Sequence, residues 1–277
     1  MRKLPTPIIK LHNVTCNIGK RLLWENLDIT INHGEFIAIL GPNGSGKTSL
    51  LKVILDQFPE MSGEIEYCEE NRVLGKPLIG YIPQQKPFDP TVPLTGRDLV
   101  NLGLSGNRYG FIKSQINNER VNQILERMNC ADYADKPIGT LSGGEQQRLR
   151  AAQSMVNQPD LLLCDEPLLS LDIPSQQNLA AQIHEYSQET GAAVLFVTHE
   201  INPILPYVSK VLYLANGKWL FDKPEKIFKS RVLSKLYGSK IEVIELNDRL
   251  LIVGGEDESL TTHGHHHSHE GNFGDEH

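Results

Sequence analysis

Eight residues constrain this chain more than any others. Gly41-Pro42-Asn43-Gly44-Ser45-Gly46-Lys47-Thr48 follows the apolar run Glu35 to Leu40 and precedes Thr48 to Leu55, where apolar residues fall at helical spacing. A short apolar run bounded by turn residues reads as a buried strand. Strand, glycine-rich loop and helix, in that order, form a phosphate cradle. Gly44 and Gly46 let the backbone turn tightly and come close to an anion. The loop N–H groups and the helix N-terminus supply the attraction. Lys47 is expected to reach the terminal phosphates and Thr48 to ligate Mg²⁺. Gly41 to Ser49 are therefore the candidate nucleotide-binding residues.

A second apolar run, Leu161 to Cys164, ends in Asp165-Glu166. Parallel strands of α/β folds end at the ligand crevice. Asp165 is expected to hold Mg²⁺ there and Glu166 to act as general base toward water. Leu141-Ser142-Gly143-Gly144-Glu145 precedes another helix-like stretch, Gln146 to about Asn157. Ser142 fits an N-cap, and Glu145 stands at the capping-box position. Two bare glycines at a helix start also make a second anion site. One chain with one cradle has no need of two.

These motifs in this order resemble the ATP-binding-cassette (ABC) ATPases over about residues 7–235. Leu141 to Glu145 resembles their signature motif. The resemblance implies a P-loop NTPase of α/β class, with an antiparallel β subdomain and an inserted helical subdomain at about 86–155. It implies ATP and Mg²⁺ as ligands and ATP hydrolysis as the reaction. It also implies a head-to-tail homodimer, in which Ser142, Gly143, Gly144 and Glu145 of one protomer cover ATP held by the other. Gln84 in Gly-Tyr-Ile-Pro-Gln resembles the Q-loop glutamine, which senses Mg²⁺ and water. Asp172 in Ser-Leu-Asp resembles the D-loop aspartate at the dimer seam. His199 resembles the switch histidine that contacts the γ-phosphate. The family stacks an aromatic ring on adenine, and the matching position here is Ile18. Either Ile18 packs on the base without stacking, or Trp24 substitutes.

The composition agrees. There are 27 Lys and Arg against 34 Asp and Glu, a net charge of −7, which argues against a nucleic-acid surface. Cys16, Cys68, Cys130 and Cys164 show no C-x-x-C spacing and read as reduced thiols. No window approaches the length of an apolar membrane helix. Residues 1–10 lack a signal-peptide apolar region. The chain is therefore expected at the cytoplasmic face of the inner membrane, as a peripheral subunit docked on integral-membrane permease subunits.

Two weaker features bear on cargo. Pro90 to Arg97, after Gln84, resembles the corresponding stretch of zinc- and manganese-uptake ATPases. Six of the ten histidines fall in the last fifteen residues, among them His263, His265, His266, His267 and His269. Imidazole favours Zn²⁺ over Mn²⁺. The expected function is the energising subunit of a divalent-metal importer, with an extracytoplasmic metal-binding protein in the same system. Alternatives are an importer ATPase for iron chelates or cobalamin, and a soluble cassette ATPase outside transport. Residues 236–254 read as a β-hairpin extension, and 255–277 as a disordered tail.

Overall fold

The structure is a computed structural model and describes residues 6–58, 61–68, 76–84, 86–105, 115–247 and 249–254. The histidine-rich stretch lies outside the described residues.

Eleven strands and seven α-helices are formed among the described residues. In chain order they are β1 (Pro7–Ile18), β2 (Arg21–Asn32), β3 (Phe36–Leu40), α1 (Lys47–Ile54), β4 (Met61–Tyr67), β5 (Ile79–Ile82), α2 (Gly96–Ser105), α3 (Gln115–Arg127), α4 (Gly143–Met155), β6 (Leu161–Asp165), α5 (Ile173–Thr190), β7 (Ala193–Val197), β8 (Lys210–Ala215), β9 (Lys218–Asp222), α6 (Pro224–Ile227), α7 (Ser230–Tyr237), β10 (Ile241–Leu246) and β11 (Arg249–Gly254).

The central sheet has the order β5-β6-β7-β3-β8-β9. All its pairings are parallel except β8 with β9, whose turn is Asn216-Gly217. Every residue of β3, β6 and β7 is buried. Such strands are covered on both faces, so they read as unbroken apolar runs. Their side chains alternate between two cores. Phe36, Ala38, Leu162, Cys164, Val194 and Phe196 face the helical side. Ile37, Ile39, Leu161, Leu163, Leu195 and Val197 face the side that holds α1 and the antiparallel sheet β2-β1-β4. The two layers fix the depth of the sheet, and its carboxyl ends carry the candidate site.

The helix termini follow their sequence. At α4, Ser142 and Glu145 form a complete capping box. The α5 N-cap is Asp172, and its C-cap is Gly191 in the left-handed region at φ 76°. Among the described residues no helix is long and apolar enough to cross a membrane. All four cysteines are free thiols.

Candidate functional site: a phosphate cradle facing two carboxylates

The loop from β3 to α1 can hold its shape only with glycine at particular places. Gly41 (φ 143°) passes so close to β8 that a β carbon would stand 2.0 Å from the Leu214 carbonyl oxygen. Gly46 (φ 96°) is the α1 N-cap, and no side chain caps the helix there. The first N–H groups of α1 are thus left without a side-chain acceptor, as an anion site needs. Lys47 donates to the loop's own carbonyls, Gly41 O at 2.8 Å and Pro42 O at 3.1 Å. Burial holds its pKa below the ordinary lysine value, and the Glu166 and Asp165 carboxylates oppose that shift. Ser45 Oγ is buried without a hydrogen-bond partner among the described residues. A polar atom orphaned inside the loop fits a ligand with acceptor oxygens.

Facing the cradle is the carboxyl end of β6. Thr48 Oγ1 donates to Asp165 Oδ1 at 2.9 Å, and Tyr81 OH donates to Oδ2 at 3.2 Å. Burial raises the Asp165 pKa above the ordinary aspartate value, and the two hydroxyls partly offset it. Burial, with Asp165 alongside, pushes the Tyr81 phenol up to about 12, so it stays a neutral donor. A hydroxyl and a carboxylate oxygen side by side are the hard donors Mg²⁺ takes. Tyr81 is a site residue that sequence reasoning missed. Its sequence signal is slight, a place in a short strand three residues before Gln84, and the pairing of β5 with β6 brings it to Asp165.

Glu166 follows with a left-handed backbone (φ 51°), anchored by its N–H on Val197 O at 3.1 Å. Its two carboxylate oxygens have different partners. His199 Nε2 lies 2.5 Å from Oε1, and Gln84 Nε2 donates to Oε2 at 3.4 Å. The structure thus gathers Gln84, Glu166 and His199 around one point.

These residues border a cleft of about 610 Å³. Asn43, Gly44, Gly46, Lys47, Thr48 and Ser49 line it, with Gln84, Glu166 and His199 and with Ile18, Arg21, Leu23 and Leu169. Gly41, Pro42, Ser45 and Asp165 are not in that lining, but Lys47 bonds to the Gly41 and Pro42 carbonyls and Thr48 to Asp165. Ile18 is half-exposed, and Trp24 is fully buried. Trp24 packs under the loop, where a β carbon on Gly46 would come within 2.4 Å of its ring. It therefore cannot stack on a base, contrary to the expectation that Trp24 could substitute for the aromatic ring.

Ser142, Gly143, Gly144 and Glu145 are not among the cleft-lining residues. Their capping box is closed within itself: Ser142 N–H donates to Glu145 Oε2 at 2.8 Å, and Glu145 N–H donates to Ser142 Oγ at 3.4 Å. The hydrogen bonds from Ser142 hold the Glu145 pKa below the ordinary value. Asp172 is likewise engaged, accepting Ser175 N–H at 3.0 Å. The segment after Gln84 is tied to α4. Arg150 donates to Lys86 O and lies over the Phe88 ring at 4.4 Å, and Phe88 N–H donates to Gln146 Oε1 at 3.3 Å. Among the described residues no cluster of three or more His, Cys, Asp or Glu could hold a metal ion.

A parallel sheet whose central strand runs through a glycine cradle into a helix, opposite an acidic strand end, is the P-loop NTPase arrangement. The sequence profile of the ABC transporter family matches residues 24–169. The chain belongs to this family, as an ATP-binding and ATP-hydrolysing subunit. It is 34% identical to the zinc import ATP-binding protein ZnuC of Photorhabdus laumondii, over 75% of this chain and 74% of that protein. It is 31% identical to the manganese transport system ATP-binding protein MntB of Bacillus subtilis, over 89% of this chain and 98% of that protein. Among solved structures it is similar to a dimeric ATP-binding cassette in a post-hydrolysis state with ADP and Pi. There the TM-score is 0.65 at 27% identity, covering 78% of this chain and 98% of that one.

Proposed function

We propose that this chain is the ATPase of a divalent-metal importer, zinc first and manganese second, working as a homodimer on integral-membrane permease subunits. The cargo reading is supported by the likeness to zinc and manganese ATP-binding proteins at 34% and 31% identity. The chain would then sit peripherally at the cytoplasmic face of the inner membrane, served by an extracytoplasmic metal-binding protein. Residues 7–235 form the cassette in this reading, with the helical subdomain at about 86–155 and residues 236–254 as an extension.

The observation that carries the chemistry is the placing of Glu166 between His199 and Gln84, beside the Thr48–Asp165 pair. The α1 N-terminus, the loop N–H groups and Lys47 bind the β- and γ-phosphates of ATP. Glu166 accepts a proton from water as the water oxygen bonds to the γ-phosphorus. The bond to the β–γ bridging oxygen breaks, and its electron pair stays with ADP. Gln84 and His199 orient the water and the γ-phosphoryl oxygens. Mg²⁺, held by Thr48 and through water by Asp165, with Gln84 near, would neutralise charge on the phosphates.

A second anion site at the start of α4 supports the dimer reading. The exposed N-terminus of α4, Ser142 to Glu145, would cover the γ-phosphate in the partner's cleft, with Asp172 at the seam. A mixing experiment tests this. Lys47→Ala and Ser142→Arg chains should each be inactive alone. Mixed in equal amounts, they should recover about a quarter of wild-type hydrolysis, because half the dimers carry one intact composite site. No recovery, with mixed dimers present by native mass spectrometry, would overturn the composite site.

A further inference from the structure

The cleft lining holds two kinds of chemistry. Gln84, Glu166 and His199 meet one another there. With phosphates over Gly44 to Ser49 and water beside Glu166, Ile18, Arg21 and Leu23 are the lining residues left for a nucleoside, together with Leu169. Among the described residues lining the cleft, none carries a phenyl, phenol or indole ring, and Trp24 is sealed beneath the loop. Beside Gly44 stands instead a planar cation, Arg21. Arg21 Nη2 donates to the Gly44 carbonyl at 3.1 Å, which pins the guanidinium against the loop. It lies so close that a β carbon on Gly44 would meet Arg21 Nη2 at 3.0 Å and Nη1 at 3.3 Å. The bare Gly44, at φ 74°, makes room for it.

We propose that Arg21 is the nucleobase platform of this subunit. Its guanidinium plane stacks on the base face, and Ile18 supplies apolar contact beside it. Guanidinium planes stack on aromatic faces through combined cation–π and π contact. The hydrogen bond to Gly44 orients the plane before a nucleotide arrives, so less side-chain entropy is lost on binding. Every base has a π face, so a platform of this kind discriminates little between purines.

The platform presupposes the nucleotide reading of the cleft, and the test separates the two. Binding to the full chain is measured by calorimetry with Mg²⁺, using non-hydrolysable ATP and GTP analogues and inorganic tripolyphosphate. Arg21→Ala should raise Kd about 3- to 10-fold for both nucleotide analogues and leave tripolyphosphate unchanged. Arg21→Tyr keeps a plane without the charge and should restore nucleotide affinity. Arg21→Lys keeps the charge without the plane and should not. Two results would overturn the platform. One is nucleotide affinity unchanged in Arg21→Ala. The other is tripolyphosphate weakened by Arg21→Ala and rescued by Arg21→Lys, which would assign Arg21 to phosphate charge. A wild-type chain that binds neither nucleotide nor tripolyphosphate would overturn the nucleotide reading itself.

Discussion

Trp24 lies directly under Gly46, so close that a β carbon on the glycine would fall 2.4 Å from Trp24 Cζ3. The buried indole is thus a packing support for the phosphate loop. Gly46→Ala adds strain at φ 96° to that clash and should cost roughly 1–3 kcal/mol of stability. Trp24→Ala leaves a cavity behind the loop and should cost about 3–5 kcal/mol. Urea denaturation measures both, and unchanged midpoints would show that the loop does not rest on Trp24.

Glu166→Gln removes the base and keeps the shape. Hydrolysis should fall about 100-fold or more. ATP binding should persist, and ATP should now hold two chains together on size-exclusion chromatography. Wild-type turnover in this variant would show that another group takes the proton.

Tyr81→Phe deletes one of the two hydroxyls that orient Asp165. Outer hydrogen bonds of this kind usually change metal affinity by about 10-fold or more. The Mg²⁺ concentration for half-maximal hydrolysis should rise on that order, with ATP affinity in the absence of Mg²⁺ unchanged. Equal loss in both measurements would mean a general disturbance of the site.

Asp165 gives a pH signature. Its folded pKa is raised, chiefly by burial. A folded state that holds its proton to higher pH loses stability as pH rises through that raised value. Without Mg²⁺, Asp165→Asn should therefore melt higher than wild type at neutral pH. The gap should narrow on acidification toward the ordinary aspartate range. A gap independent of pH would separate the effect from Asp165 ionisation.

The cargo is tested in cells. A strain lacking this chain should accumulate less zinc at limiting supply, with a smaller deficit in manganese and none in iron. Deleting residues 255–277 should leave basal ATP hydrolysis intact and lower zinc import at limiting supply. A deficit confined to iron would favour the chelate alternative.

Much of this was legible before folding was considered. The strands β3, β6 and β7 announce themselves as unbroken apolar runs because both faces are covered. Gly41 to Thr48 carries its own context, and Ser142 with Glu145 encodes a cap within four residues. Arg21 and Tyr81 were illegible for a shared reason. Each sits in an ordinary strand, and only the tertiary register brings one onto Gly44 and the other onto Asp165. Trp24 was ambiguous because the sequence does not say which face of β2 passes beneath the loop.

The separation of Ser142 from the cleft has a consequence for fuel economy. On the proposed reading, a lone chain can load ATP but cannot complete its hydrolysis. Free subunits would form a charged, idle reserve, and their total hydrolysis rate would scale with the square of their concentration. A permease that seats two copies side by side raises their effective concentration toward the millimolar range. Assembly would then act as the ignition, and unassembled chains would consume little of the cell's ATP.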